Sequence, residues 1–203
     1  MLEAANLSCA RGERRLFSGL NFSLRAGAFL QAFGPNGSGK TSLLRIICGL
    51  LAPVAGEVRW NGTNIRRLGE EYFAAIAYVA HQNGVKDELN PIENLRISSG
   101  VAGSPVSKHE AQAILERVGL SKQQHLPARL LSAGQRRRLA LSRLLASRAK
   151  LWILDEPLAS LDDDGATLAR KLISEHLGND GMAIIATHQE MVLSAGQMQK
   201  IQL

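Results

Sequence analysis

Short apolar runs of strand length alternate with amphipathic stretches of helix length along most of the chain. Four runs predict buried strands at Ala28–Phe33, Ala75–Ala80, Leu151–Leu154 and Met182–Thr187, and Met198–Leu203 predicts a last one. Buried strands that alternate with helices are typical of a parallel sheet covered by helices. The pattern therefore predicts an α/β fold with a largely parallel sheet, whose ligand site lies at the carboxyl ends of the strands.

The N-terminal part of the chain has a different pattern. Residues 20–24 alternate apolar and polar side chains, as a half-buried antiparallel strand does. Leu2–Leu7 and Glu57–Trp60 also predict strands, and Asn61-Gly62 is a hairpin-turn signal. We therefore expect an antiparallel β subdomain beside the parallel sheet.

Between residues 84 and 147 the strand pattern stops and helix signals replace it. Two helices in this stretch begin with capping boxes, in which an Asn or Ser is followed three residues later by Glu. Residues 84–147 are thus predicted to form an inserted helical subdomain. Residues 1–83 and 148–203 are predicted to form the catalytic core, so that 1–203 make up one domain.

The stretch GPNGSGKT directly follows the first buried strand and opens a helix. Its residues are Gly34, Pro35, Asn36, Gly37, Ser38, Gly39, Lys40 and Thr41. Glycines let backbone N–H groups surround an anion, and the new helix directs its positive end at the same place. Lys40 is expected to reach the β- and γ-phosphates of a nucleoside triphosphate, and the Thr41 hydroxyl to bind Mg²⁺.

Two acids, Asp155 and Glu156, follow the buried strand Leu151–Leu154. A hard cation among phosphates needs a carboxylate nearby, so Asp155 is the predicted Mg²⁺ partner, directly or through water. Glu156 is the candidate for polarising the water that attacks the γ-phosphate. Ser132 opens a later helix, where it can act either as an N-cap or as an anion contact.

The charge and composition of the chain exclude several classes of protein. The net charge of +6 would suit nucleic acid or an anionic membrane surface, but the arginine clusters are separate and no aromatic residues lie among them. We therefore do not expect nucleic-acid binding. The chain has no secretory signal at its start and no run of about 18 uncharged apolar residues, so it is not expected to cross a membrane. Cys9 and Cys48 have no metal-ligand or redox spacing, which fits a reducing cytosol.

Five motifs in this order resemble those of the ATP-binding subunit of an ABC transporter. They are GPNGSGKT, Gln82 after a strand, LSAGQ, LWILDE with Ser160-Leu161-Asp162, and Thr187-His188. The resemblance covers essentially the whole chain and implies a P-loop NTPase fold of ABC type, with ATP and Mg²⁺ as ligands.

The resemblance also implies roles for residues outside the phosphate loop. Two copies of the chain would face each other head to tail, with each ATP between one phosphate loop and the partner's LSAGQ. Ser132 and the Gly134 amide would contact the γ-phosphate, and Asp162 would link the two sites. Gln82 would help to bind Mg²⁺ and water, while its loop senses an integral membrane permease. His188 would hold the γ-phosphate in position.

Two positions depart from the family pattern. Ala133 stands where the family usually has glycine, so a Cβ must fit near the nucleotide. Arg11 stands before Gly12, where an aromatic residue usually stacks on adenine. A guanidinium plane can stack on a base, which makes Arg11 the adenine candidate. The alternative is a solvated arginine with adenine held by little else.

Three segments are similar to the ATP-binding subunit of the haem exporter of cytochrome c maturation: RRLFSGLNFSLRAG, YVAHQNGVKDELNPIENLR and LSAGQRRRLALSRL. This similarity implies a peripheral protein on the cytoplasmic face of the bacterial inner membrane. It also implies that ATP hydrolysis is coupled to release of haem or of a haem-loaded chaperone. The alternatives are the ATPase of another ABC exporter, or an ABC ATPase acting on nucleic acid, although such proteins usually have coiled-coil insertions or two cassettes.

Overall fold

Nine strands and seven α-helices make up the fold in the computed structural model, which describes residues 1–203. The strands are β1 (Leu2–Arg11), β2 (Arg14–Leu24), β3 (Ala28–Phe33), β4 (Ala55–Trp60), β5 (Thr63–Asn64), β6 (Ile76–Val79), β7 (Leu151–Asp155), β8 (Met182–Thr187) and β9 (Gln197–Gln202). The helices are α1 (Lys40–Ile47), α2 (Ile65–Leu68), α3 (Glu70–Ala75), α4 (Pro91–Val101), α5 (Lys108–Arg117), α6 (Ala133–Ala146) and α7 (Asp163–Gly178).

The strands form two sheets, as the sequence predicts. One is antiparallel with the order β2-β1-β4-β5, and the other has the order β6-β7-β8-β3-β9. Every pairing in the second sheet is parallel. Because parallel strands end at the same edge, the loops after β3, β6, β7 and β8 meet there.

Residues of the parallel sheet alternate between two apolar clusters. Leu30 and Ile184 belong to a cluster with α1 and the antiparallel sheet. Phe29 and Ile185, one residue along each strand, belong to a cluster with α6 and α7. Burial of both faces explains why β3, β7 and β8 are nearly continuous apolar runs in the sequence.

A third apolar cluster joins α4, α5 and α6. Both predicted capping boxes are confirmed, Asn90 with Glu93 and Ser107 with Glu110. Helix α6 contributes to this cluster and also packs on the parallel sheet. The boundaries of the helical subdomain at residues 84 and 147 therefore stay a prediction. None of the helices combines the length and the apolarity needed to cross a membrane.

The structure corrects several details of the prediction. The helical spacing of Leu43, Leu44, Ile46, Ile47 and Leu50 predicts that all five lie on the first helix, but Leu50 lies outside it and is 66% exposed, because α1 ends at Ile47 and Gly49 turns the chain with φ 73°. The helices α2 and α3 were not predicted, since they have only four and six residues, too few to show a helical period. Ala75 accordingly belongs to α3 rather than to the strand that follows it.

Candidate active site

The phosphate loop connects β3 to α1, and glycines in left-handed backbone conformations shape it. Gly37 has φ 80° and Gly39 has φ 112°, a region that residues with a Cβ rarely adopt. A Cβ on Gly39 would also lie 3.1 Å from the Cβ of Leu16 and 3.2 Å from the Cδ1 of Phe17. Glycine at this position lets α1 begin directly against β2, with its free N–H groups facing the loop.

Lys40 and Thr41 begin α1 and supply a cation and a hydroxyl. The buried Lys40 Nζ donates to the carbonyl oxygens of Gly34 at 2.7 Å and Pro35 at 3.0 Å. Thr41 Oγ1 donates to Asp155 Oδ2 at 2.8 Å. Burial raises the pKa of Asp155, and the hydrogen bond from Thr41 opposes that shift. A hydroxyl and a carboxylate side by side are the oxygen donors that Mg²⁺ prefers, so these residues fit the ion.

Glu156 and His188 meet at the ends of β7 and β8. The Oε1 of Glu156 lies 3.0 Å from the Nδ1 of His188. Glu156 has φ 49°, a left-handed conformation that costs a non-glycine residue about 1–3 kcal/mol. Its backbone N–H donates to the carbonyl oxygen of Ala186 at 2.8 Å, which helps to hold this conformation. The catalytic roles of both side chains stay predictions.

A pocket of about 640 Å³ lies at the phosphate loop, and Leu16 is the one hydrophobic residue in its lining. Its lining residues are Arg11, Arg14, Leu16, Asn36, Gly37, Gly39, Lys40, Thr41, Ser42, Arg45, His81, Asp155 and Glu156. Three arginines and one lysine face two carboxylates, so the lining has a net positive charge. Such a pocket attracts a polyphosphate.

Two of these arginines were missed by the sequence analysis. Arg14 pairs with Arg11 across the β1–β2 hairpin, so extending both strands by a few residues would have placed the two side by side. Arg45 follows Thr41 by four residues on α1, and residues at that spacing share one helix face. A helical projection from the phosphate loop would therefore have identified Arg45.

We expect Arg11→Ala to weaken ATP binding about tenfold, because stacking on a base contributes about 1–3 kcal/mol. Arg11 lines the pocket, whereas Arg15, which pairs with Ala10 in the same hairpin, does not. Arg15→Ala is thus the matched control and should leave the dissociation constant unchanged. Titration with ATP by calorimetry measures both. An unchanged dissociation constant in Arg11→Ala would exclude Arg11 from the adenine site.

Three predicted residues of the LSAGQ and SLD segments lie outside this pocket. Ser132 is exposed and caps α6, with Ala133 exposed beside it. Gly134 packs closely on the loop after β7, since a Cβ there would lie 2.9 Å from the carbonyl oxygen of Ser160. Asp162 caps α7 by accepting a backbone N–H at 2.9 Å. In one copy of the chain, these residues and the phosphate loop do not form a single pocket.

The chain after β6 places His81, and not Gln82, in the pocket lining. Gln82 is exposed. Burial raises the pKa of Asp155, and the nearby charge of His81 acts in the opposite direction. Gln82 therefore stays a predicted contributor to the Mg²⁺ site and to catalysis, and His81 is a lining residue that the sequence analysis missed.

Known ATP-binding proteins of the ABC transporter family match this chain both in sequence and in fold. A family model described as ABC transporter matches residues 17–159. The cytochrome c biogenesis ATP-binding export protein CcmA of Nitrosospira multiformis is 51% identical over 202 residues, which cover 100% of this chain and 98% of that protein. A putative ABC transporter ATP-binding protein from Pyrococcus furiosus has a TM-score of 0.85 at 27% identity, covering 98% of this chain and 96% of its own. A dimeric ATP-binding cassette bound to ADP and phosphate has a TM-score of 0.81 at 23% identity, covers 93% and 88% of the two chains, and supports the fold alone.

Proposed function

The chain belongs to the ABC transporter family and, within it, to the cytochrome c biogenesis ATP-binding export proteins, and we propose that it works as a head-to-tail dimer beneath an integral membrane permease. It binds ATP and hydrolyses it. The observation that supports ATP binding and hydrolysis is the basic pocket at the phosphate loop, which Lys40, Thr41 and Asp155 line. The proposal includes the dimer, the permease and a location at the cytoplasmic face of the bacterial inner membrane.

Hydrolysis depends mainly on electrostatics within the pocket. Lys40 and the N–H groups of the loop bind the phosphates and offset the charge that develops on the transferred phosphoryl group. Thr41, Asp155 and Gln82 would hold Mg²⁺, which when bound would neutralise charge on the phosphate oxygens. Glu156 accepts a proton from the attacking water.

His188 and the second copy of the chain complete the site. His188 contacts the γ-phosphate and orients the carboxylate of Glu156, from which it lies 3.0 Å away. Ser132 and Gly134 lie outside the pocket of their own copy, which supports their use by the partner copy. Each phosphate loop then receives a γ-phosphate contact from the start of the partner's α6, and Asp162 links the two sites.

A groove of about 620 Å³ is the proposed contact for the permease. It lies between α3 and β6 on one side and the ends of α4 and α6 on the other. Most of its lining is apolar, and Phe73 and Val101 in it are 52% and 87% exposed. The groove includes β6, and the chain continues from β6 into the Gln82 loop. A displacement of β6 by the permease would therefore move the loop beside the nucleotide pocket.

The proposed cargo follows from the relatives. They are named for cytochrome c biogenesis and export. We propose the same process for this chain, with hydrolysis coupled to release of haem or of a haem-loaded periplasmic chaperone. The permease, rather than this chain, contacts the cargo.

Purification from detergent-solubilised membranes of its own host tests the proposal. We expect the tagged chain to retain a small polytopic membrane protein in about equal amount. Phe73→Asp should lower that amount at least about tenfold, because burying an unpaired carboxylate in an apolar contact costs several kcal/mol. Quantitative mass spectrometry measures the ratio of the two proteins.

The matched control is Val192→Asp, which adds the same charge at a residue that is 71% exposed and outside the groove. It should retain the membrane protein, and both variants should hydrolyse ATP as the unchanged chain does. Full retention in Phe73→Asp would contradict the proposed groove. Nucleic acid retained at moderate salt, without a membrane protein, would contradict the proposed transport function.

A further inference from the structure

Arg137 is a buried cation that lies between the nucleotide-site loops. It belongs to α6, the helix that Ser132 caps, and is only 2% exposed. All five N–H groups of its guanidinium donate hydrogen bonds. The acceptors are the carbonyl oxygens of Ala80 (2.8 Å), Asp155 (2.7 Å), Glu156 (2.8 Å) and Pro157 (3.3 Å) and the side-chain oxygen of Asn83 (3.1 Å).

None of these acceptors is a carboxylate, so the charge of Arg137 has no direct ion pair. Burial lowers the pKa of Arg137, while the charges of Asp155 and Glu156 oppose that shift. An apolar side chain would fill the same space without the cost of desolvating a charge. The guanidinium instead fixes the positions of several oxygens at once, because its N–H groups point in set directions within one plane.

The hydrogen bonds hold two segments that the proposed mechanism needs. Arg137 binds Ala80 and Asn83, which flank His81 and Gln82, and it also binds the carbonyl oxygen of Glu156. The strained backbone of Glu156 is thereby held from two sides, by Arg137 and by the carbonyl oxygen of Ala186. A conformation of this kind persists only where its surroundings fix it.

We propose that Arg137 is a positioning residue for ATP hydrolysis, which fixes the backbone of Glu156 and the Gln82 loop to the helix that begins at Ser132. The proposal rests on the proposed role of Glu156 as the base. It implies that a displacement of the start of α6 moves the Glu156 backbone and the Gln82 loop together, because Arg137 binds both. Arg137 does not touch the nucleotide pocket itself, so it acts on turnover rather than on binding.

Arg137→Gln is expected to lower kcat about 30-fold while the KM for ATP stays within about twofold, since a small misplacement of a catalytic group costs up to about 100-fold. Arg137→Lys should recover part of this loss. A single ammonium supplies its three donors from one point and cannot reach all the acceptors of a planar fork. Steady-state hydrolysis and ATP titration of the full chain measure the two effects.

Arg143→Gln is the matched control. Arg143 lies on the same helix, burial also lowers its pKa, and it donates to the carbonyl oxygens of Asn83 at 2.8 Å and Gly84 at 2.7 Å. It makes no bond to Glu156. We expect this variant to lower the melting temperature less than Arg137→Gln does, because it removes two hydrogen bonds rather than five, and to keep kcat within about twofold. An equal loss of kcat in both variants would overturn the inference, because stability or the loop alone would then explain the effect.

Glu156→Gln separates this inference from the mechanism on which it rests. Adding Arg137→Gln to Glu156→Gln should cause a further loss well below about 30-fold, because the part of the effect that acts through Glu156 is already absent and only the part that acts through the Gln82 loop remains. Losses that multiply would overturn the positioning role, as would an unchanged kcat in a folded Arg137 variant. Normal turnover in Glu156→Gln alone would instead reject the proposed base. Arg137→Lys, which keeps the buried charge, gives the same comparison if the glutamine variant does not fold.

Discussion

Glu156→Gln is expected to bind ATP with unchanged affinity and to hydrolyse it at least about 100-fold more slowly, the usual contribution of a general base. Glutamine has nearly the same size and can still hydrogen-bond to His188, which lies 3.0 Å from the carboxylate. It cannot take a proton from water. The affinity should persist because Lys40, Thr41 and the loop N–H groups are untouched. Titration with ATP and hydrolysis at saturating ATP and Mg²⁺ measure the two parts of the result.

Glu190→Gln provides the control for this prediction. Glu190 is exposed, lies two residues after His188 and does not line the pocket, so the same change there should leave turnover as it is. A normal rate in Glu156→Gln would mean that another group is the base. A loss in both variants would mean that the charge near His188, rather than proton transfer at Glu156, controls the rate.

Much of the fold follows from local patterns in the sequence. Strands β3, β7 and β8 are covered on both faces, so each is a mostly apolar run that is easy to identify, although β3 also contains the buried Gln31. The phosphate loop is equally clear, since its three glycines, Lys40 and Thr41 lie within eight consecutive residues. The meeting of Thr41 with Asp155 follows from the shared edge of the parallel sheet, and the structure confirms it at 2.8 Å.

Residues whose surroundings are set by distant elements could not be predicted. Arg136, Arg137 and Arg138 are consecutive and identical, and only Arg137 is buried. Helical spacing places Arg137 on the face of α6 that includes the buried Leu141 and Leu144, but its hydrogen-bond partners depend on where β6 and β7 end, which no pattern near residue 137 encodes. The choice between His81 and Gln82 is similar, because a bend after β6 decides which side chain enters the pocket.

Two inactive variants should regain activity when mixed, if each site is shared between two copies. Lys40→Ala removes the cation at the phosphate loop and should lower turnover by about 100-fold or more. Ser132→Asp keeps the N-cap of α6, because Asp caps as well as Ser, but it places a negative charge against the γ-phosphate. Ser132→Asn is the control, since it caps α6 and has the same size without the charge.

In a head-to-tail dimer of the two variants, the phosphate loop of the Ser132→Asp copy faces the unchanged Ser132 of the Lys40→Ala copy. That site is intact, while the other site has both defects. An equal mixture contains about half mixed dimers, so we expect turnover of up to about a quarter of the unmodified protein, measured as ATP hydrolysis per chain. If the mixture is no more active than the average of its two components, the sites are not shared between copies as proposed. Normal turnover in Ser132→Asp alone would mean that Ser132 has no role beyond capping its own helix.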